Sequence, residues 1–195
     1  MDQPQTIQFI PTRFLESFIA VARELLFRPA RFFQQLRPSG SLVGPFTFLL
    51  LCLFLSVLLF ANVIGSGLSI FAALFVSGLV AAVLGSLCLH ALLATPLFST
   101  RLPYEATLSV IAYAAIVDLA AWIPLLNFFA KIYGLILMYL GFKAIHRMSA
   151  IRAGCAVFLA VMLLENIKLM MLRLTAPEWL NGLLNAVESL GSMSS

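Results

Sequence analysis

Between Arg37 and Arg101 the chain runs for 63 positions without an Asp, Glu, Lys or Arg. A helix rises ~1.5 Å per residue and the hydrocarbon core of a bilayer is ~30 Å thick, so this stretch exceeds one crossing. Gly65-Ser66-Gly67 is the only good break inside it. Two membrane helices are therefore expected, at about 43–64 and 69–95, the second ending before Pro96.

Composition points the same way. The chain is 62% hydrophobic and 10% charged, whereas soluble domains are nearer ~45–50% apolar and ~25% charged. A soluble globular domain is excluded, and so is disorder, which needs low hydrophobicity. Three cysteines, Cys52, Cys88 and Cys155, each lie within an apolar run with no partner at metal-ligand spacing. They read as small buried hydrophobes.

A second apolar block runs from Ala106 to Ile145. As one straight helix it would be roughly 60 Å long, twice the bilayer core, so it must fold back. Pro124 and Asn127 are the available turn residues. They give a third helix at about 106–124 and a fourth at about 127–145, with a fifth at about 153–172. The fold class expected is an all-α polytopic membrane bundle of five transmembrane helices, with an interfacial amphipathic helix at each end.

The N-terminal one spans Pro11 to Leu26. Phe14, Leu15, Phe18, Ile19, Ala22, Leu25 and Leu26 fall on one helical face, and Arg13, Glu16, Ser17, Arg23 and Glu24 on the other. It reads as a helix in the interface plane, with Phe14, Phe18 and Leu25 inserted, or else as one packed on the protein's own bundle. No cleavable signal peptide is expected in so interrupted a stretch. Arg28-Pro29 breaks the helix. Arg13, Arg23, Arg28, Arg31 and Arg37 form the expected membrane-surface basic set. The C-terminal counterpart runs from Thr175 to Leu190, opens with a Thr175/Glu178 capping box and is anchored by Trp179. The chain thus divides into an N-terminal interfacial segment (1–40), a transmembrane domain (41–172) and an amphipathic tail (173–195).

With a cytoplasmic N-terminus, nine of the 12 Lys and Arg residues face the cytoplasm and three, Lys131, Lys168 and Arg173, the far side. This obeys the positive-inside rule and puts the C-terminus on the far side. Four spans instead of five would bring it back.

Four ionisable residues fall inside the expected spans: Asp118, Lys131, Glu165 and Lys168. Counted from the outer helix ends, Asp118, Lys131 and Glu165 lie about 6–10 Å deep, and Lys168 is one turn nearer the surface on Glu165's face. A charge facing lipid costs several kcal/mol unless paired, so the four are expected to meet, with Asp118 and Lys131 paired on a hairpin. The cluster is either a structural clamp or a polar path for ions, protons or lipid headgroups. On the second span Ser69, Ala73, Ser77, Ala81 and Gly85 form an i+4 row suited to close helix packing. The parallel row of Gly78, Ala82 and Ser86 ends at His90, which should face protein.

Enzyme signatures are missing from the pattern. Ser86, Cys88 and His90 share one helix without a nucleophile elbow. There is no His-Glu-x-x-His, no paired glutamates of the intramembrane prenyl-protease type and no glycine-rich phosphate loop. No catalytic residue, metal or cofactor is expected.

The stretch Phe27-Arg28-Pro29-Ala30-Arg31-Phe32-Phe33-Gln34-Gln35-Leu36, followed by Gly44-Pro45-Phe46, resembles the opening of the Yip domain. This is the domain of the Ypt/Rab-interacting membrane proteins, here in the compact form found in bacteria. Tyr104-Glu105-Ala106-Thr107, Ile111-Ala112-Tyr113-Ala114, Pro124 and Gly141-Phe142-Lys143-Ala144-Ile145-His146-Arg147-Met148-Ser149 are similar to its second half. The resemblance covers roughly 27–163 and implies five spans and a membrane-organising or adaptor role. Eukaryotic members carry a long polar N-terminal region and the motifs Asp-Leu-Tyr-Gly and Gly-Tyr. Both motifs are absent here, so small-GTPase binding does not carry over.

The functional expectation is a non-enzymatic scaffold or adaptor in a bacterial inner membrane. Its expected partners are the lipid bilayer and other membrane proteins; homo-oligomer formation stays open and nucleic acid is not expected. The rivals are a small transporter or lipid scramblase built on Asp118 and Glu165, and an accessory subunit of a larger complex.

Overall fold

The structure is a computed structural model that describes residues 9, 14–36, 41–63, 67–96, 98, 102–120, 122–176 and 178. Arg13, Arg37, Arg101, the Pro38-Ser39-Gly40 and Gly65-Ser66 turn residues and the tail from Trp179 onward lie outside the described residues. The described elements are all helical: α1 (Phe14–Phe27), α2 (Pro29–Gln35), α3 (Val43–Val63), α4 (Leu68–Leu93), α5 (Tyr104–Ala114), a 3-10 segment (Ala115–Ala120), α6 (Pro124–Ile145) and α7 (Ala150–Thr175).

Four helices are long and apolar enough to cross a membrane: Val43–Val63, Leu68–Leu93, Leu125–Ile145 and Ala150–Thr175. The expected third span is not a single α-helix. It is α5 followed directly by the 3-10 segment, about 28 Å of rise in all. Every residue from Glu105 to Ala114 is buried. α5 is therefore the central post, wrapped by α3, α4 and α6. A helix surrounded by protein has no lipid-facing side to make apolar, so Glu105, Thr107 and Ser109 are accommodated within it.

The reversal also falls earlier than expected, before Pro124 rather than between Pro124 and Asn127. Pro124 is the first residue of α6, where its missing N–H costs nothing and its fixed φ suits a helix. Asn127 donates its backbone N–H to the Ile123 carbonyl at 2.8 Å and so belongs to the first turn. At the other end, Thr175 closes α7, and its hydroxyl donates back to the Met171 carbonyl at 2.8 Å instead of capping a new helix.

Close approach is set by glycine. A Cβ on Gly141 would sit 2.8 Å from Val110 Cγ1, and one on Gly134 3.1 Å from Val117 Cγ2. These two contacts run α5 and α6 antiparallel. On α4, Ala73, Ser77, Ala81 and Gly85 are buried and Ser69 is exposed. A Cβ on Gly85 would meet Leu164 at 2.8 Å, and α7 is the helix that α4 contacts most extensively.

The N-terminal helices are pinned by aromatic rings. Phe48 of α3 contacts Phe9, Phe18 and Tyr113 at ring distances of 5.7, 5.3 and 5.1 Å. Phe32 of α2 meets Tyr113 edge-on at 5.0 Å. This corrects the expectation that Phe18 and Leu25 insert into lipid: Phe18 packs on Phe48 and Leu25 is fully buried. The Tyr133 hydroxyl completes the attachment, within hydrogen-bond reach of the Leu25 and Leu26 carbonyls at 2.8 and 3.0 Å.

Candidate functional site

The four long helices and the α5/3-10 post enclose a cavity of about 310 Å³. Leu53, Ala81, Gly134 and Leu164 line it, and each lies within about two residues of the midpoint of its own helix. Phe128, Lys131 and Lys168 also line it and lie nearer the helix ends, so the cavity runs from mid-depth toward the end of the bundle where α6 begins and α7 closes.

Asp118, Lys131, Glu165 and Lys168 all line this one cavity. The 3-10 segment presents Asp118, α6 presents Lys131, and α7 presents Glu165 and Lys168 one turn apart. Lys131 Nζ lies 3.3 Å from Glu165 Oε1, and these side chains are 52% and 57% exposed, so they stand at the mouth. Asp118 and Lys168 are half-buried. The pairing differs from the expected Asp118–Lys131 hairpin: Lys131 takes Glu165 across the α6–α7 seam. Asp118 sits within electrostatic reach of Lys131, Lys168 and Glu165. Among the described residues neither Asp118 nor Lys168 has an ion-pair partner within bonding distance. The arrangement presents one carboxylate and one ammonium to the cavity, behind a pair that neutralises itself.

A second, apolar groove of about 640 Å³ lies between α1, the 3-10 segment and α6. Phe18 and Leu26 form one side, Leu119 and Phe129 the other. Val117 and Ile132 line both the groove and the polar cavity, so the two share a wall.

Of the basic set, Arg23, Arg28 and Arg31 are exposed on α1, the junction and α2. α1 itself has three sides. Ser17, Val21 and Leu25, at i, i+4 and i+8, are buried on the bundle. Leu15, Ile19 and Leu26 form an adjacent exposed apolar strip, and Glu16 and Arg23 follow on the third side.

Sequence reasoning missed a polar cluster at the α4–α5 crossing. Ser86 Oγ and the Tyr104 hydroxyl are 2.6 Å apart, and His90 Nδ1 is 3.1 Å from Thr107 Oγ1. The signal was present: Ser86 and His90 are i, i+4, and Tyr104 and Thr107 are i, i+3, so each pair presents one face. Thr107 is fully buried; no substrate reaches it, and the pairs act as ties between helices. Below them His146 caps α6, also buried, with neither ring nitrogen hydrogen-bonded. Burial, helped by nearby His90, lowers its pKa to about 4. Arg147 follows at φ 50°, the left-handed turn that closes α6 and that glycine usually occupies. Among the described residues no group of three His, Cys, Asp or Glu side chains is placed to hold a metal ion.

No curated protein matches the chain. No solved structure matches it either. A family model, the Yip1 domain, matches residues 23–166, which takes in α3 to α6, α2 and most of α7. That span holds the Phe32, Phe48 and Tyr113 rings, the α5 post and three of the cavity's charged residues, with Lys168 beyond it, and the chain belongs to the Yip1 domain family.

Proposed function

We propose that this multi-pass membrane protein is a non-enzymatic scaffold or adaptor that organises the membrane or binds other membrane proteins. The observation that carries this reading is the three-sided α1. One side is held to the bundle through Val21, Leu25 and the Tyr133 hydroxyl, while Leu15, Ile19 and Leu26 remain exposed beside it. A helix that is both anchored and apolar on a free side is a fixed platform for lipid or for a neighbouring transmembrane helix. In this reading the α5/3-10 post is the fifth crossing. The N-terminus is then cytoplasmic, the C-terminus lies beyond the membrane, and a bacterial inner membrane is the setting.

The test uses a photo-crosslinking residue at Ile19, with Leu87 on the exposed side of α4 as control. Discrete, reproducible protein adducts from Ile19, absent at Leu87 and reduced by Tyr133→Phe, are the expected outcome. The same adduct pattern from both positions would refute the platform.

One observation favours a second reading, a small transporter or lipid scramblase: the charged cavity reaches mid-depth, where a permeating group meets its barrier. Under that reading flux depends on Asp118 and Glu165.

A further inference from the structure

We infer that the mid-depth cavity and the groove beside it form one binding site for a zwitterionic aminophospholipid. The phosphoammonium headgroup sits between Lys168 and Asp118, and an acyl chain lies in the groove. The inference deepens the polar-path reading by naming its ligand, and it does not depend on the scaffold reading.

Three observations carry it. The first is charge. The cluster holds two carboxylates and two ammoniums, so as a set it is neutral and does not favour a net anion. The Lys131–Glu165 pair is satisfied internally. What remains is a single positive and a single negative side chain in one cavity, and a headgroup bearing a phosphate and a primary ammonium complements both. Such charge-assisted bonds are worth most where water is scarce.

The second is size. About 310 Å³ is at the small end for ligand pockets and holds roughly ten waters. That suits a headgroup and not a whole lipid. The third is the shared wall. Val117 and Ile132 line both the polar cavity and an apolar groove of about 640 Å³, so the two lie side by side. A small soluble zwitterion has no use for that groove, whereas an amphiphile fills both compartments across Ile132. The exposed Lys131–Glu165 pair on the α6–α7 seam marks where the cavity reaches the surface of the bundle, which is the way in for a headgroup.

The test is native mass spectrometry of the full chain in detergent, titrated separately with dioleoyl phosphatidylethanolamine and dioleoyl phosphatidylglycerol. Soluble phosphoethanolamine is the competitor. The phosphatidylethanolamine adduct should be favoured about ten-fold over the phosphatidylglycerol adduct. Asp118→Asn should lower that preference by removing the ammonium's partner, Lys168→Gln should weaken both adducts by removing the phosphate's partner, and Asp118→Glu and Lys168→Arg should retain wild-type binding. Equal binding of the two lipids, a preference unchanged in Asp118→Asn, or phosphatidylethanolamine binding unchanged in Lys168→Gln overturns the site. Full displacement by soluble phosphoethanolamine at lipid-equivalent concentration also overturns it, since the groove would then contribute nothing. Should Asp118→Asn fail to fold, half-exposed Lys168 decides the matter alone. Binding without lipid flux in vesicles would keep the site and remove the scramblase; binding without crosslinks at Ile19 would keep the site and remove the scaffold.

Discussion

Adding one methyl group at three glycines should produce three different outcomes, because the surroundings differ in how far they can yield. At Gly141 the new Cβ would sit 2.8 and 3.1 Å from the two methyls of Val110 and 3.2 Å from the Phe33 ring. Both neighbours are essentially fully buried, and a helical valine has one preferred rotamer, so neither can move away. Overpacking of this kind costs ~1–3 kcal/mol, against ~1 kcal/mol recovered from replacing glycine in a helix, leaving a net loss of about 1 kcal/mol. At Gly85 the clash is also 2.8 Å, but with the flexible tip of Leu164, so Gly85→Ala should be near neutral. At Gly154 nothing lies within 4 Å, and alanine there should stabilise by about 0.5–1 kcal/mol. The Gly154→Ala and Gly141→Ala proteins should then differ by about 3–8 °C in melting temperature. Cys52 is buried whereas Cys88 and Cys155 are exposed. In a Cys88→Ala/Cys155→Ala background, a thiol-reactive dye therefore reports unfolding through Cys52 alone. A Gly141→Ala protein that melts at or above Gly154→Ala would refute the claim that Gly141 sets the spacing of α5 and α6.

Two further outcomes follow from the geometry. His146 has a folded pKa of about 4 against ~6.5 unfolded, so the unfolded chain binds the extra proton between these values. Stability is fully present above pH ~6.5 and falls as pH drops toward 4, by about 2 kcal/mol at pH 5; His146→Phe should flatten the melting-temperature profile in that window, and an unchanged slope would remove His146 as its source. A cytoplasm-dependent reporter fused after Ser195 should be inactive if the α5/3-10 post crosses the membrane; activity there would leave four crossings.

Much of this architecture is legible in the sequence because bilayers impose a simple rule: long uncharged runs become helices, and their ends follow from proline and charge. α3 and α4 appear almost at their expected limits for that reason. The four ionisable residues likewise single themselves out, since charge inside an apolar run needs a protein-side reason. What the pattern hides is anything decided by partners. Asp118 seemed destined for Lys131 because hairpin neighbours are close in sequence, yet Lys131 reaches across to Glu165. Phe18 looked lipid-facing because hydrophobicity alone does not distinguish a lipid tail from the Phe48 ring. α5 looked like an ordinary span because no periodicity signals a helix buried on every side. The Ser86–Tyr104 and His90–Thr107 ties were present only as paired spacings on two helices whose contact the sequence does not state.

The 3-10 winding at the far end of the central post links backbone form to the charge in the cavity. Each 3-10 residue turns the chain by about 120°, against about 100° in an α-helix. Asp118 is the fourth residue of the segment, so rewinding Ala115–Ala120 into α-form would rotate its carboxylate by about 80° around the post. The same conversion would shorten the segment by about 3 Å and draw the start of α6 inward. A change of pitch over these six residues would thus act like a crank, moving the Asp118 carboxylate relative to the ammoniums of Lys131 and Lys168. Whatever displaced the start of α6 would by that conversion reach the middle of the bundle.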